Sequence, residues 1–221
     1  MTLLVSDVIL RARQAADLEN STFVSDAELL VAVNAQAAEL HGLKTTLYED
    51  YDTTYSTIVV ASGNSLTLPT DFFKLRRLEF LVNSGNTQYT PVERTNMAEM
   101  HRHNAVVYAG GQLLHHAYLM LSGTIFLLPE LASTGTYRIW YAKKFTPYTA
   151  LSDVMTDPEG HEEYVVLGVA IFAGVKENTD VTDLMTKKQA LKARIEGEAS
   201  NRDAGQPAHV VDKWLDDDDL C

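Results

Sequence analysis

The sequence predicts an α+β protein: an antiparallel helical bundle with an inserted small antiparallel β-sandwich or barrel domain and an extended C-terminal arm. Three observations carry that reading. The apolar period is close to 3.6 in the first and last parts of the chain and switches to two between them. The break Asn178-Thr179-Asp180 is short, so the helices on either side of it should fold back as a hairpin. After Ser200 the apolar periodicity stops, which places the remaining residues outside a core. These changes divide the chain into a helical part over 1–52, strands over 53–153, a helical hairpin over 154–200 and an arm over 201–221.

Ser6 can cap a first helix carrying Ile9, Ala12, Ala15 and Ala16, which ends at Asn20-Ser21-Thr22. Ser25-Asp26-Ala27-Glu28 is a capping box: the Ser25 hydroxyl can accept from the Glu28 amide, and the Glu28 carboxylate can reach back to the Ser25 amide. Leu29, Val33, Ala37, Leu40, Leu47 and Tyr51 then share one helical face. Gly42 weakens that helix and is tolerable where a neighbouring helix packs close.

From Asp52 the pattern is that of strands. Thr53 to Ala61 turns at Ser62-Gly63-Asn64 into Ser65 to Leu68, and Leu75 to Val82 turns at Asn83-Ser84-Gly85-Asn86 into Thr87 to Glu93. Thr95 to His103 reads as a short helix capped by Thr95, and Val106 to Gly111 is ambiguous. Tyr118 to Leu121 and Thr124 to Leu128 form a hairpin across Ser122-Gly123. Tyr137 to Lys143 is the last strand, with Ile139 and Tyr141 opposite Arg138, Trp140 and Ala142. Asp157-Pro158-Glu159 then opens a helix with Val165, Val169, Phe172 and Ala173 on its apolar face. The following helix sets Leu184, Leu191 and Ile195 against Lys187, Lys188, Lys192 and Arg194.

Composition bounds what the chain can do. It is 46% hydrophobic and 22% charged, an ordinary globular balance, and its 221 residues suffice for one large domain or two small ones. A net charge of −12 disfavours general affinity for nucleic acid. The lone cysteine, Cys221, permits no intramolecular disulfide, which fits a reducing compartment. No apolar run approaches a membrane span. The opening residues, Met1 to Asp7, have no basic region ahead of their apolar ones, so no signal peptide is expected.

Several stretches together resemble one family, the head-to-tail adaptor (connector) proteins of tailed bacteriophages. Leu68-Pro69-Thr70-Asp71-Phe72 resembles its Leu-Pro-x-Asp-Phe segment before a strand. Leu121-Ser122-Gly123-Thr124-Ile125-Phe126-Leu127-Leu128-Pro129 resembles its hairpin, and Tyr137-Arg138-Ile139-Trp140-Tyr141 its next strand. Glu163-Tyr164-Val165-Val166-Leu167, with Ala170, is similar to the start of its penultimate helix. Asn201-Arg202-Asp203-Ala204-Gly205-Gln206-Pro207, with Asp212, is similar to its tail.

The resemblance implies a structural virion protein at the portal–tail junction, assembled in the host cytoplasm, with no enzymatic activity, no cofactor and no membrane partner. It implies a dodecameric ring that holds the portal protein on one side and a downstream tail or nozzle protein on the other. Genomic DNA would pass through without specific binding. Portal binding would fall to the arm, through Asn201, Arg202, Asp203, Pro207, Asp212 and Trp214. Pro207 favours extended chain at low ordering cost, and a tryptophan suits a buried interface anchor.

Other chemistries have weaker support in the residues. His101, His103, His115 and His116 suggest a metal, but their spacings point neighbours to different sides and no cysteine supports them. Asp216 to Asp219 lack the glycine and bidentate glutamate of a calcium loop. Lys187, Lys188, Lys192 and Arg194 could touch DNA phosphates, though Glu196 and Glu198 dilute them. A cell-wall hydrolase finds no Gly-x-Ser-x-Gly, phosphate loop or His-Glu-x-x-His, and the adjacent Glu162 and Glu163 complement a helix dipole. A carbohydrate- or receptor-binding tail module would need Tyr89, Tyr108, Tyr118, Trp140 and Tyr148 to stack on a ligand, whereas sheet packing is their commoner fate.

Overall fold

The computed structural model describes residues 2–81, 87–101, 116–129, 134–156 and 160–202. In chain order the elements are β1 (Thr2–Leu4), α1 (Val5–Ala15), α2 (Asp26–Leu47), β2 (Thr53–Val60), β3 (Ser65–Leu66), β4 (Phe72–Leu81), β5 (Tyr89–Pro91) and β6 (Glu93–Arg94). They continue with β7 (Ala117–Leu121), β8 (Thr124–Leu128), β9 (Gly135–Lys143), β10 (Val154–Thr156), α3 (Glu162–Lys176) and α4 (Thr182–Arg202). The turn at 83–86, the ambiguous stretch 106–111 and the helix opening at 157–159 lie outside the described residues.

The class is α+β, but the expected architecture is overturned: the helices are not an antiparallel bundle with a domain inserted into it. The chain divides into one compact unit of residues 1–36 and 150–221 and another of 37–149, and the division falls inside α2. The reason is the chemistry of α2. Its first half buries Leu29, Ala32 and Val33, whereas its second half buries His41, Lys44 and Thr45 as well as Leu40. That half serves the strand unit and does not extend a bundle.

In the helical unit, α1 and α4 both pack on α3. α3 is buried along most of its length, and Val165, Val169 and Ala170 are fully enclosed. Phe172, expected on that apolar face, is 42% exposed. Ser6 does not cap α1. The N-cap is Leu4, without a side-chain bond, and the amides of Val5 and Ser6 donate to the carbonyls of Asp153 and Leu151 at 3.0 Å. The segment around β10, antiparallel to β1, thus satisfies helix-end donors that a local cap usually would. α1 also stops earlier than read, at Ala16, with Asp17 in the left-handed region (φ 58°). The capping box is as expected: the Ser25 amide donates to Glu28 Oε2 at 3.0 Å, and the Glu28 amide to the Ser25 hydroxyl at 3.4 Å. α3 ends with Asn178 at φ 57°, its amide donating to the Val175 carbonyl, and Asp180 receives the Thr182 amide at 3.0 Å to start α4.

The strand unit has two four-stranded sheets, ordered β2-β9-β4-β5 and β3-β8-β7-β6. Their inner faces share one core of Leu78, Tyr137, Ile139 and Tyr141 from the first sheet with Leu66, Ile125 and Leu127 from the second. Ladders are antiparallel except β6 with β7, which run parallel. Ser122 (φ 47°) and Gly123 (φ 77°) form the tight turn between β7 and β8, whose hand requires positive φ at both central residues. Thr95 is not the cap of the segment after β6: it is Asn96 whose side chain accepts from the Glu99 amide, at 2.9 Å. Register shifts in the β4–β9 ladder flank Lys74 and Arg77. At the second shift, between Leu75 and Arg77, Arg76 leaves the ladder, and its Nη2 donates to the carbonyls of Thr45 and Tyr48 at 2.7 and 2.8 Å, tying off the end of α2. Two stretches that carry the resemblance also meet: Tyr141 donates from its hydroxyl to Asp71 at 2.8 Å.

Gly42 is no helix-packing glycine, since a Cβ there would meet nothing within 4 Å. The close approaches are at Gly168, where a Cβ would run into the Gln36 side chain, and at Gly174, where it would lie 2.5 Å from Val181 Cγ1.

Candidate functional site

The residues singled out for binding fall at and beyond the end of α4. Asn201 and Arg202, read as a helix exit, are the last two residues of that helix. Asp203, Pro207, Asp212 and Trp214 lie outside the described residues. What can be built from the structure is therefore the platform from which the C-terminal segment leaves.

That platform is the α3–α4 hairpin. At its middle, Lys188 of α4 places its ammonium 4.5 Å from the centre of the Tyr164 ring and donates to Gln36 Oε1 at 2.6 Å. Gln36 itself fills the notch over Gly168, so α2, α3 and α4 meet around one amide. At the hairpin's open end, His161, the N-cap of α3, is 1% exposed. Its Nε2 lies 2.9 Å from Glu198 Oε2, four residues before α4 ends. A carboxylate only accepts, so Nε2 carries the proton in this bond. The other Glu198 oxygen receives Arg194 Nε at 3.1 Å. At the closed end Lys176 pairs with Glu28, and Ser21 bonds Glu177. The lysine, with the Ser25 bonds, holds the Glu28 carboxyl down at about 2.

These contacts bear on the rival chemistries. Of the four cations proposed to touch DNA, Lys188 and Arg194 are already engaged within the helical unit, while Lys187 is exposed. Of the four histidines, His101 is exposed, and His116 stacks on Phe80 with ring centres 4.0 Å apart, where burial pushes its pKa down. His103 and His115 lie outside the described residues. Among the described residues no group of three or more histidine, cysteine or acidic side chains is placed to hold a metal. Of the adjacent carboxylates, Glu162 is buried and Glu163 exposed, both in the first turn of α3 where the dipole favours them. Among the described residues, the carboxyl groups of Glu28 and Asp180 are shifted down, opposite to what a general acid needs.

The described aromatic residues of the strand unit that could stack on a ligand are buried or already have partners within the unit. Tyr118 is buried. The Arg138 guanidinium lies over the rings of Tyr89 and Tyr55, 3.7 and 4.9 Å from their centres, and Trp140 Nε1 donates to Glu79 at 3.0 Å. Tyr148 packs edge-on against Phe145, and Tyr108 lies outside the described residues. No helix among the described residues is long and apolar enough to cross a membrane.

Sequence spacing could not have found the His161–Glu198 and Lys188–Tyr164–Gln36 contacts, because their members are 37 and 152 residues apart at the widest hydrogen bonds. The one local hint was the placement of Glu198 one turn after Arg194.

Compared with known families, residues 2–211 match a family model described as SU10 adaptor protein. No curated protein matches the chain.

Proposed function

The chain belongs to the SU10 adaptor protein family, and from that premise we propose that this bacteriophage structural protein joins the portal to the tail as a ring that extends the DNA channel. The observation that carries the proposal is the family match over nearly the whole chain. A dodecamer places one face against the portal protein and the other against a downstream tail or nozzle protein, in the virion at the portal–tail junction after assembly in the host cytoplasm. The C-terminal segment is the portal-binding arm, with Asn201 and Arg202 at its root and Asp203, Pro207, Asp212 and Trp214 along it. A helix running through Arg202 supports this, since it delivers the chain to that root on a fixed hairpin.

DNA passes without being held. The net charge of −12, multiplied around a ring, repels a duplex, and the engagement of Lys188 and Arg194 within the protein supports the same reading. The experiment is to mix purified protein with portal and image the product by electron microscopy, alongside a variant lacking Gly205 to Cys221. Rings seated on portal with the full chain, and folded protein that no longer joins portal with the truncated one, are the expected results. A truncated protein that binds portal normally overturns the arm assignment. A duplex-DNA titration that shows tight, steeply salt-dependent binding overturns the sliding channel.

A further inference from the structure

Near the end of α4 lies a cross-helix contact of an unusual kind. His161 is almost fully enclosed at the start of α3, yet it meets a side chain, Glu198, that is half exposed on the last turns of α4. Buried imidazole hydrogen bonds are directional, and a carboxylate acceptor makes them stronger than neutral pairs. After Ile195, which is fully buried, Glu196, Gly197 and Glu198 are all exposed, so those three residues gain little from apolar packing. Gly197 adds backbone freedom within the same turn, at a cost to the helix of about 1 kcal/mol relative to alanine. A helix end of this composition frays unless something pins it.

We propose that the His161–Glu198 pair is a positioning clasp: it fixes the last turns of α4 on α3 and so sets where and in which direction the C-terminal segment leaves. The proposal rests on the reading of that segment as the portal-binding arm. Arg194 supports the clasp by holding the second Glu198 oxygen, which leaves Oε2 facing His161. Neither His161 nor Glu198 touches portal in this account. They act through the orientation of Asn201 and Arg202.

Glu198→Ala tests it, with Glu198→Gln as the conservative variant and Arg194→Ala, which removes only the support to Oε1, expected to fall between the wild type and Glu198→Ala. Because Glu198 is half exposed, the alanine variant keeps its fold, which circular dichroism verifies. Hydrogen exchange of residues 195–202 should rise about tenfold in Glu198→Ala, the size set by losing one hydrogen bond to a charged group. Glu198→Gln, which still offers an acceptor, should restore most of the protection. Exchange in α3 beyond its first turn should not change. Portal affinity should fall with the same ordering of variants.

Unchanged exchange at 195–202 in Glu198→Ala overturns the clasp, whatever portal binding does. Faster exchange with unchanged portal affinity overturns its positioning role. Failure of the wild-type protein to bind portal is a failure of the functional reading instead. It is recognised because it precedes any substitution, and the exchange comparison then decides the clasp alone.

Discussion

The strand unit and the helical unit of this protein bury their side chains by different means. Between the two sheets, Ile125, Tyr137 and Ile139 are completely enclosed, and the core draws on both faces. In the helical unit most of α3 is enclosed, while Phe23, Val31, Met185 and, at the end of α3, Val175 remain more than half exposed; the strand unit likewise exposes Tyr55, Val59 and Met97. Its helices are tied along the edges by polar side chains: Arg13 to Asp26, Lys176 to Glu28, Lys188 to Gln36 and His161 to Glu198. The strand core is therefore sensitive to lost volume, and the helical unit also to lost polar contacts and to crowding at Gly168 and Gly174.

The largest expected effect breaks the strand core. Ile139→Ala removes a fully buried side chain from β9, the strand paired on both edges by β2 and β4. Transfer and cavity terms together predict a loss of about 3–4 kcal/mol, read by urea denaturation. A loss below about 1 kcal/mol would mean that the sheets collapse into the void, and that the core is softer than its burial indicates.

Two glycines sharpen the contrast next, because they sit in helices of the two units and should respond with opposite sign. Gly174→Ala drives a Cβ to 2.5 Å from Val181 Cγ1 and 2.9 Å from Thr179 Oγ1 in the α3–α4 turn. Valine is stiff at χ1, so relief requires a backbone shift, and the net cost is about 1–2 kcal/mol after the gain in helix propensity. Gly42→Ala adds a Cβ with nothing within 4 Å and should stabilise by about 1 kcal/mol. Thermal melts of the two variants that shift in the same direction would refute the distinction.

The capping box gives a smaller effect. Ser25→Ala removes the acceptor for the Glu28 amide and one of the bonds that hold the Glu28 carboxylate. A loss of about 1 kcal/mol is expected. Glycine at the same position should cost only a few tenths, because it tolerates the N-cap conformation. Equal losses for alanine and glycine would show that the box is not what starts α2.

These elements also show what a sequence of this kind discloses. Ser25 with Glu28, and Ser122 with Gly123, were legible because both partners lie within a few residues and the required backbone geometry is specific to those residue types. The capping of α1 was not, since its acceptors are Leu151 and Asp153 at the far side of the chain. Arg76 gave no signal either, because its role depends on register shifts that remove it from the β4 ladder. The bundle was misread for a related cause. The apolar stripe of α2 looked continuous to Leu47 and Tyr51, but the second half buries His41, Lys44 and Thr45, and Leu47 is only half-buried. Of the candidate site, the family was legible from local motifs, whereas α4 includes Asn201 and Arg202, which the sequence read as its exit. The His161–Glu198 contact that holds that exit required the folded hairpin.

The smallest expected effect separates the two units by pH. In the strand unit, the His41 ring is buried among Tyr51, Phe73 and Phe145, with centres 5.6, 5.7 and 6.1 Å away. Burial pushes its pKa below the ordinary 6.5. Asp52, whose Oδ2 lies 3.5 Å from Nε2, opposes that shift, and the nearby Lys44 adds to it. Burial lowers His116 in the same unit. The folded chain thus binds these protons less readily than the unfolded one, so stability is complete above about 6.5 and is lost as pH falls below it, until the folded pKa values are reached. In the helical unit the displaced groups are Asp180, lowered from 3.8 by its bonds from Thr182, and Glu28, lowered from 4.5 to about 2 mainly by Lys176. The Glu28 contribution is present above 4.5 and lost as pH falls through the interval down to about 2. Between pH 6.5 and 4.5, therefore, the strand unit should loosen while the helical unit does not. Hydrogen exchange at pH 7 and pH 5, corrected for intrinsic rates, measures this directly. Faster opening should be confined to residues such as Leu78 and Ile139 and should vanish in the double variant His41→Gln, His116→Gln. Loosening that appears first in α3, or that persists in the double variant, would place the acid sensitivity on other groups and remove this distinction between the two units.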